Sequence, residues 1–384
     1  MRLPSLPTTR RTLLQRGLQA SGALGLGLFT GQGGDNQTLA ATPGKHTKEV
    51  VDLIEADENH QRTGEADIIE LANGELLLAY TDFRGFQDDA AAVLRSCRSY
   101  DGGRSWTAPQ LLVDQEGRQN VAAVSFVRVS SSVILLCYDT KHSHEIGLLT
   151  VRRSSNNGKS FDPPVYCAPD NRFRNLCNDC VIRLKNGRIL IPFTVRSKVI
   201  SPAKQRILHA GCAYSDDDGQ SWKLSNEIFV PKSGAMEPKI VELRDGRLWM
   251  LVRTDQGRLG QSFSTDGGTT WAKADFTNIA APQAPFIFTR IPSTGDLLLI
   301  RNPQVDMTHH HQGPRTPLRC TISSDEGKTW RFTVDLEKDH SWAWSYGSCT
   351  FVDDFAILSY YKERFDKPWH TFRITRVPVA WLYG

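Results

Sequence analysis

The stretch Ser99-Tyr100-Asp101-Gly102-Gly103-Arg104-Ser105-Trp106 decides the fold, because four further copies follow it, starting at Ser154, Ser215, Ser264 and Ser323. Each obeys S-x-D-x-G-x-[ST]-[WF], with Asn156 in place of the acid and Phe161 in place of the Trp in the second copy. The chemistry is that of a hairpin tip. The carboxylate accepts backbone N–H groups within the turn, Gly supplies a positive φ, and the aromatic ring anchors the turn in the core. Recurrence at intervals of 49 to 61 residues marks an array of similar units.

Between these Asp turns lies a second repeat, two apolar runs joined by a tight turn. Its copies are 68–80 around Asn73-Gly74, 126–138 around Ser130-Ser131-Ser132, 181–193 around Asn186-Gly187, and 240–252 around Asp245-Gly246. Two more run over 288–300 around Thr294-Gly295 and 350–361 around Asp353-Asp354. Asn-Gly and Asp-Gly between apolar runs are strong hairpin signals. Six hairpins and five Asp turns predict six four-stranded units, the last ending in a strand from His370 to Val379. Such units bury both faces only by stacking around an axis, so the expected fold is all-β, a six-bladed propeller. An early strand, 49–54, is expected to pair into the last blade and close the ring.

Composition narrows the function. Thr9-Arg10-Arg11-Thr12-Leu13-Leu14 and the Gly-rich apolar run 18–29 predict a twin-arginine export signal over residues 1–41, cleaved near Ala40 or Ala41, followed by one propeller domain over 42–384. The apolar run is too short for a stable membrane span. Without residues 1–41 the chain carries 42 basic and 41 acidic side chains, so no nucleic-acid partner is expected. The eight Cys include one isolated C-x-x-C, Cys177 and Cys180, and are read as buried thiols. The run from His309 to His311 is read as a solvated loop, and no metal or other cofactor is expected. Oligomeric state is not legible.

In a four-stranded unit the Asp turn and the first hairpin turn share one face. The opposite face receives the residues ahead of each first strand and the loops after each second strand. Those segments hold Glu65, Asp67, Asn120, Asn178, Asp179, Glu237 and Tyr346, and then Arg84, Asp88, Asp89, Lys141, His142, Arg196, Arg253 and Arg315. Convergent arginines, carboxylates and a tyrosine suit an anionic or heavily hydroxylated ligand.

Taken together, the Asp boxes, hairpins and rim residues resemble the sialidase (neuraminidase) superfamily across residues 50–384. The run from Leu77 to Arg84 resembles the family's first-blade strand, whose Arg reaches substrate. Asp88 falls where the family keeps its catalytic acid. Glu237 and Arg253 resemble its nucleophile-assisting Glu and a carboxylate-binding Arg. Arg315 followed by Tyr346-Gly347-Ser348 resembles the last Arg of the triad and the nucleophilic Tyr. The resemblance implies an exported, retaining exo-glycosidase acting on glycoconjugates that end in sialic acid or a related acidic sugar. Asp88, Glu237 and Tyr346 would be catalytic; Arg84, Arg253, Arg315, Glu65, Asp67, Asn120, Asp179 and Arg196 would bind substrate.

One motif departs from the family. Its opening Arg-Ile-Pro is replaced here by Gly64-Glu65-Ala66-Asp67, with Arg62 the only arginine nearby. Either the register slips, another cation such as Arg196 substitutes, or the sugar is not an ordinary sialic acid. Two rival functions follow: a glycosidase or lyase on a uronic, sulfated or neutral sugar using Glu65 or Asp67, and a non-catalytic carbohydrate-binding propeller.

Overall fold

In the computed structural model, which describes residues 47–168, 170–200, 206–367 and 369–384, every element among the described residues is a strand except two short 3₁₀ turns, His310–Gln312 and Val379–Tyr383. The twin-arginine segment lies outside the described residues. The chain runs through β1 (Glu49–Ile54) and then β2 (Arg62–Glu70), β3 (Leu76–Phe83), β4 (Ala92–Ser99) and β5 (Gln110–Val113). Next come β6 (Asn120–Arg128), β7 (Ile134–Lys141), β8 (Gly147–Ser154) and β9 (Val165–Tyr166). A third group holds β10 (Arg174–Asn175), β11 (Ile182–Arg183), β12 (Ile189–Ile200), β13 (Arg206–Ser215) and β14 (Lys223–Leu224). Two four-stranded groups follow: β15 (Met236–Glu242), β16 (Leu248–Arg253), β17 (Arg258–Ser264) and β18 (Asp275–Ala280), then β19 (Ile287–Arg290), β20 (Leu297–Arg301), β21 (Leu318–Ser323) and β22 (Arg331–Glu337). The last strands are β23 (Trp342–Val352), β24 (Phe355–Arg364) and β25 (His370–Pro378).

Hydrogen bonding groups the strands into five sheets, not six separate ones, in a propeller-like arrangement. Four sheets are meanders built from consecutive strands. The fifth has eight strands, because β25 meets β2 through one parallel pair, Arg62 with His370. On one side of that pair lie β2 to β5, and on the other β23, β24, β25 and β1. The first strand does close the chain, with Glu49 opposite Arg376 and Val51 opposite Ile374.

The core sits between these groups, as the binary pattern requires. Strands such as β3 and β16 are buried along their whole length, whereas β5, β9 and β14 at the outer edges are largely exposed. Six apolar clusters occur among the described residues, each shared by two neighbouring groups: Leu77 and Leu136 meet in one, Leu135 and Ile191 in the next, and Ile68 and Ile357 in the cluster that closes the ring.

The Asp turns knit the same neighbours together. In all five copies the Ser hydroxyl accepts the N–H of the second-half glycine at 2.8–2.9 Å and donates to the Asp or Asn side-chain oxygen at 2.8–2.9 Å. Those glycines lie against the second strand of the preceding group. A Cβ on Gly158 would come within 2.9 Å of Leu77, one on Gly327 would overlap the Trp249 ring, and one on Gly103 would reach Ile357 at 2.9 Å. No helix among the described residues is long and apolar enough to cross a membrane. All eight Cys are buried and free of disulfides.

Candidate functional site

At the end opposite the Asp turns, the inner strands break register. The irregularities fall between Gly64 and Asp67 in β2, Ala122 and Val124 in β6, Met236 and Lys239 in β15, and Ser345 and Ser348 in β23. Each carries one non-glycine residue at positive φ: Glu65 at 49°, Ala123 at 54°, Glu237 at 47° and Tyr346 at 52°. Asp179, at 50°, holds the corresponding place just ahead of β11. A bulge bends its strand and re-aims one side chain. The left-handed conformation costs a non-glycine residue about 1–3 kcal/mol, so the neighbours must enforce it. They do so by hydrogen bonds across the ring. Ala123 N–H donates to Thr81 Oγ1 at 3.0 Å, Glu237 N–H to Thr194 Oγ1 at 2.7 Å, and Asp179 N–H to the Val124 carbonyl at 2.9 Å. Asn178 Nδ2 donates to the carbonyls of Ala66, Tyr346 and Gly347 at 3.0–3.3 Å.

Three of these bulges point chemistry at one place. The Tyr346 hydroxyl donates to Glu237 Oε1 at 3.2 Å, and Arg253 Nη1 reaches both Glu237 oxygens at 3.0 and 2.9 Å. Burial, reinforced by the Glu237 charge, raises the Tyr346 phenol well above its ordinary value. Arg315 stands beside this group with a single long bond, Nη2 to the Gln283 carbonyl at 3.4 Å. Desolvation and the adjacent Arg253 lower its pKa, and the buried Nε atoms of both arginines lack a hydrogen-bond partner. Two crowded guanidiniums with unspent donors make a site for an anion.

Arg62, at the start of β2, supplies a third cation. Its Nε donates to Tyr361 Oη at 3.3 Å, its Nη1 to Asp88 Oδ1 at 2.5 Å and to the Phe86 carbonyl at 3.3 Å, and its Nη2 to Glu65. Gly64, at φ 148°, leaves the room that the Tyr361 ring occupies. Desolvation would raise Asp88, but the Arg62 ion pair outweighs it and holds the carboxyl below the usual carboxylate range.

Two cavities open here, of about 380 and 550 Å³, and both are lined by Arg62, Asp88, Glu237 and Tyr346. The first adds Glu65, Asn120, Asp139, Lys141 and Arg196; the second adds Arg253, Arg315, His311, Glu363 and His370. They form two lobes meeting at the tyrosine.

Asp88, Glu237, Tyr346, Arg253 and Arg315 thus converge, and Glu65 joins them from the first lobe. Asn120 acts indirectly, its Nδ2 holding the Asp88 and Ala90 carbonyls at 3.0 and 2.8 Å. Arg196 lies in the first lobe with its guanidinium 4.2 Å from the Phe173 ring centroid, away from the arginine pair. Three expectations need correction. Arg84 follows the last residue of β3 and is exposed, lining neither lobe; Arg62 occupies the pocket instead. Asp67 and Asp179 line neither lobe. Asp67 accepts the Ile68 and Phe126 N–H groups at 2.7 Å, and Asp179 accepts the Cys349 N–H at 2.9 Å, so both tie strands of different groups together inside the ring. The histidine run is not merely solvated, since His309 and His311 line the second lobe. Sequence reasoning missed Arg62, Glu363 and His370. The extra residue in the β2 bulge hid the first, and no motif marks the others.

Residues 74–357 match the BNR repeat-like domain family. The chain belongs to that family. Among relatives of this BNR-repeat protein, a sialidase of Bacteroides fragilis (strain YCH46) is 23% identical over 222 residues, covering 54% of this chain and 38% of the relative. A sialidase of Clostridium perfringens is 24% identical over 230 residues, covering 53% and 59%. The chain spans less than two thirds of either relative. Solved structures with the same fold include a protein of unknown function from Dyadobacter fermentans DSM 18053, with TM-score 0.69, 19% identity, and 86% and 97% of the two chains covered. The intramolecular trans-sialidase of Ruminococcus gnavus gives TM-score 0.68 at 15% identity, with 85% and 96% covered. These matches place the BNR-repeat chain in the sialidase superfamily.

Proposed function

We propose that this BNR-repeat protein is an exported, retaining exo-glycosidase of sialidase type, removing a terminal sialic acid or related acidic sugar from glycoconjugates. The observation that carries the reading is the Tyr346 hydroxyl on Glu237, itself gripped by Arg253, in a pocket shared with Asp88 and Arg315. A sugar with a carboxylate on its reacting carbon repels a carboxylate nucleophile. A neutral phenol avoids that repulsion, and tyrosine is the known exception to the two-carboxylate rule. Arg253 and Arg315, with Arg62, hold the sugar carboxylate. Glu237 takes the phenolic proton as Tyr346 Oη attacks the anomeric carbon, and Asp88 gives a proton to the departing oxygen. The raised phenol pKa means that this proton leaves during attack, not before it. Water, deprotonated by Asp88, then breaks the tyrosyl link, and the second inversion restores the starting configuration.

We read the ring as six blades, counting the eight-stranded sheet as two units of four; the six shared clusters support that count. Residues 1–41 are taken as the twin-arginine signal that directs the propeller domain, 42–384, out of the cytoplasm.

A second reading draws on Glu65, whose carboxyl is raised by burial and lines the first lobe. There the sugar is not a sialic acid and Glu65 is the acid.

Fluorogenic glycosides of sialic, uronic and neutral sugars, assayed on wild type and Tyr346→Phe, separate the readings. Sialoside turnover that falls about a hundredfold or more in the variant, with folding intact, is expected. Undiminished turnover removes Tyr346 from the mechanism, and activity confined to the other sugars favours Glu65.

A further inference from the structure

The three cations of the pocket are not equally ready for an anion. Arg253 and Arg315 each keep a buried Nε without a partner. Arg62 has four of its five N–H donors taken, by Tyr361, Phe86, Asp88 and Glu65, which leaves one on Nη2. A carboxylate can grip it with two hydrogen bonds only by displacing a partner. Glu65 is buried and also receives the Tyr361 hydroxyl at 3.4 Å, so it stays. The Asp88 side chain is 84% exposed although its partner is buried, and it is the one that can leave.

The loop is built for such an exchange. Asp88 sits between β3 and β4, and its main-chain carbonyl is held by Asn120 at 3.0 Å and by Lys141 Nζ at 2.9 Å. The backbone stays pinned while the carboxyl turns about its own side-chain bonds. The charged groups facing it are Arg62 on β2, Lys141 on β7 and Arg253 on β16, with Glu65, Glu237 and Tyr346 on the other inner strands.

Resting on the sialidase-type reading, we infer that Arg62 couples anion binding to the release of Asp88: the substrate carboxylate takes over the Arg62 guanidinium, and the freed carboxyl of Asp88 then collects the proton that catalysis needs. The steps balance. The Asp88 carboxylate takes one proton from solvent, and passes it to the glycosidic oxygen as that oxygen's bond to the anomeric carbon breaks. Without an anion in the pocket, Asp88 stays paired and the acid is absent. A sugar that lacks the carboxylate is therefore rejected at the protonation step as well as at binding, so one ion pair sets both specificity and acid strength.

The test follows the Asp88 carboxyl by NMR in the full propeller labelled with carboxyl-¹³C aspartate, its resonance assigned by loss in Asp88→Asn. In ligand-free Arg62→Gln the Asp88 midpoint should rise by about one pH unit relative to wild type, and Arg62→Lys should bring it back towards the wild-type value. In wild type, saturating N-acetylneuraminic acid should raise the midpoint similarly, and its neutral methyl ester should not. An unmoved midpoint in Arg62→Gln overturns the inference. Binding of the acid with no movement of Asp88 overturns the coupling and leaves the proposed function standing. Failure of the acid to bind, read by calorimetry, overturns both. The wild-type arm keeps the test decisive even if Arg62→Gln does not fold.

Discussion

The two ends of the ring obey different rules. At the Asp-turn end the same eight-residue solution is used five times, and the hydrogen bonds repeat to within 0.1 Å at the Ser and Gly positions. At the pocket end the backbone device also repeats, a bulge or its equivalent with a residue near φ 50°, but the side chains vary among carboxylates, a methyl group and a phenol: Glu65, Ala123, Asp179, Glu237 and Tyr346. Repetition of chemistry marks structure; repetition of geometry under changing chemistry marks a site. Variants at the two ends should therefore fail in different ways.

The largest effect is expected at the Asp-turn end. Gly327, at φ 83°, has no room for a Cβ because the buried Trp249 ring fills it. Gly327→Ala should cost about 3 kcal/mol, combining overpacking with a left-handed alanine. Chemical denaturation would show the loss, while turnover per folded molecule should hold. A drop in turnover at unchanged stability would break the division between the ends.

That division also explains what could be read from the sequence. The Asp turns were legible because each is local: the Ser, Asp, Gly and aromatic of one copy lie within eight residues. Strand order within a unit put Tyr346, Glu237, Arg253 and Arg315 on the pocket face, but their individual roles were legible only through a family resemblance, since their meeting depends on closing the ring. Arg62 and Arg84 show why the rest was hidden. In the β2 and β3 ladder Arg62 lies opposite Phe83, with its guanidinium 4.3 Å from that ring, so the side chain turns inward, whereas Arg84 falls one residue past the strand and faces water. Which arginine entered the pocket depends on how β2 and β3 pair beyond the β2 bulge, and no composition or motif records it. Asp67 and Asp179 mislead for a related reason. Buried acids at a pocket-facing strand end look catalytic, but here their oxygens are spent on the N–H groups of strands in other groups.

An intermediate effect is expected at the pocket end. Arg253→Lys keeps the charge beside Glu237 but loses the planar fork that can hold Glu237 and a ligand carboxylate together. The kcat/KM for an acidic sugar should fall about thirtyfold, worth about 2 kcal/mol, with denaturation midpoints nearly unchanged. Equal losses in kcat/KM and stability would mean that Arg253 is a structural strut, and the pocket end would no longer differ in kind from the other.

The smallest effect sharpens the comparison from within the repeat. In the third copy Asp217 accepts the Ser221 N–H at 2.8 Å and the Ser221 hydroxyl. In the second copy Asn156 accepts the Ser160 N–H at 3.0 Å, but its Nδ2 donates to the Ser160 hydroxyl at 2.7 Å, so that one bond runs in reverse. The hydroxyl can serve either way, and the turn therefore tolerates an amide. Asp217→Asn should leave stability at neutral pH within about 0.5 kcal/mol of wild type, whereas Asp217→Ala, losing the acceptor, should cost about 1 kcal/mol. Acid separates Asp from Asn. The Ser221 hydroxyl and N–H hold the Asp217 carboxyl down at about 2, below the value of about 4 it has when unfolded. A depressed carboxylate lends its stability fully above the unfolded value and loses it as pH falls through the folded one. Since this group faces solvent, screening keeps the contribution small. Wild type should therefore lose slightly more stability than Asp217→Asn between pH 4 and pH 2, and parallel denaturation curves over that window would show that the carboxylate's charge adds nothing to the turn beyond the shape an amide already supplies.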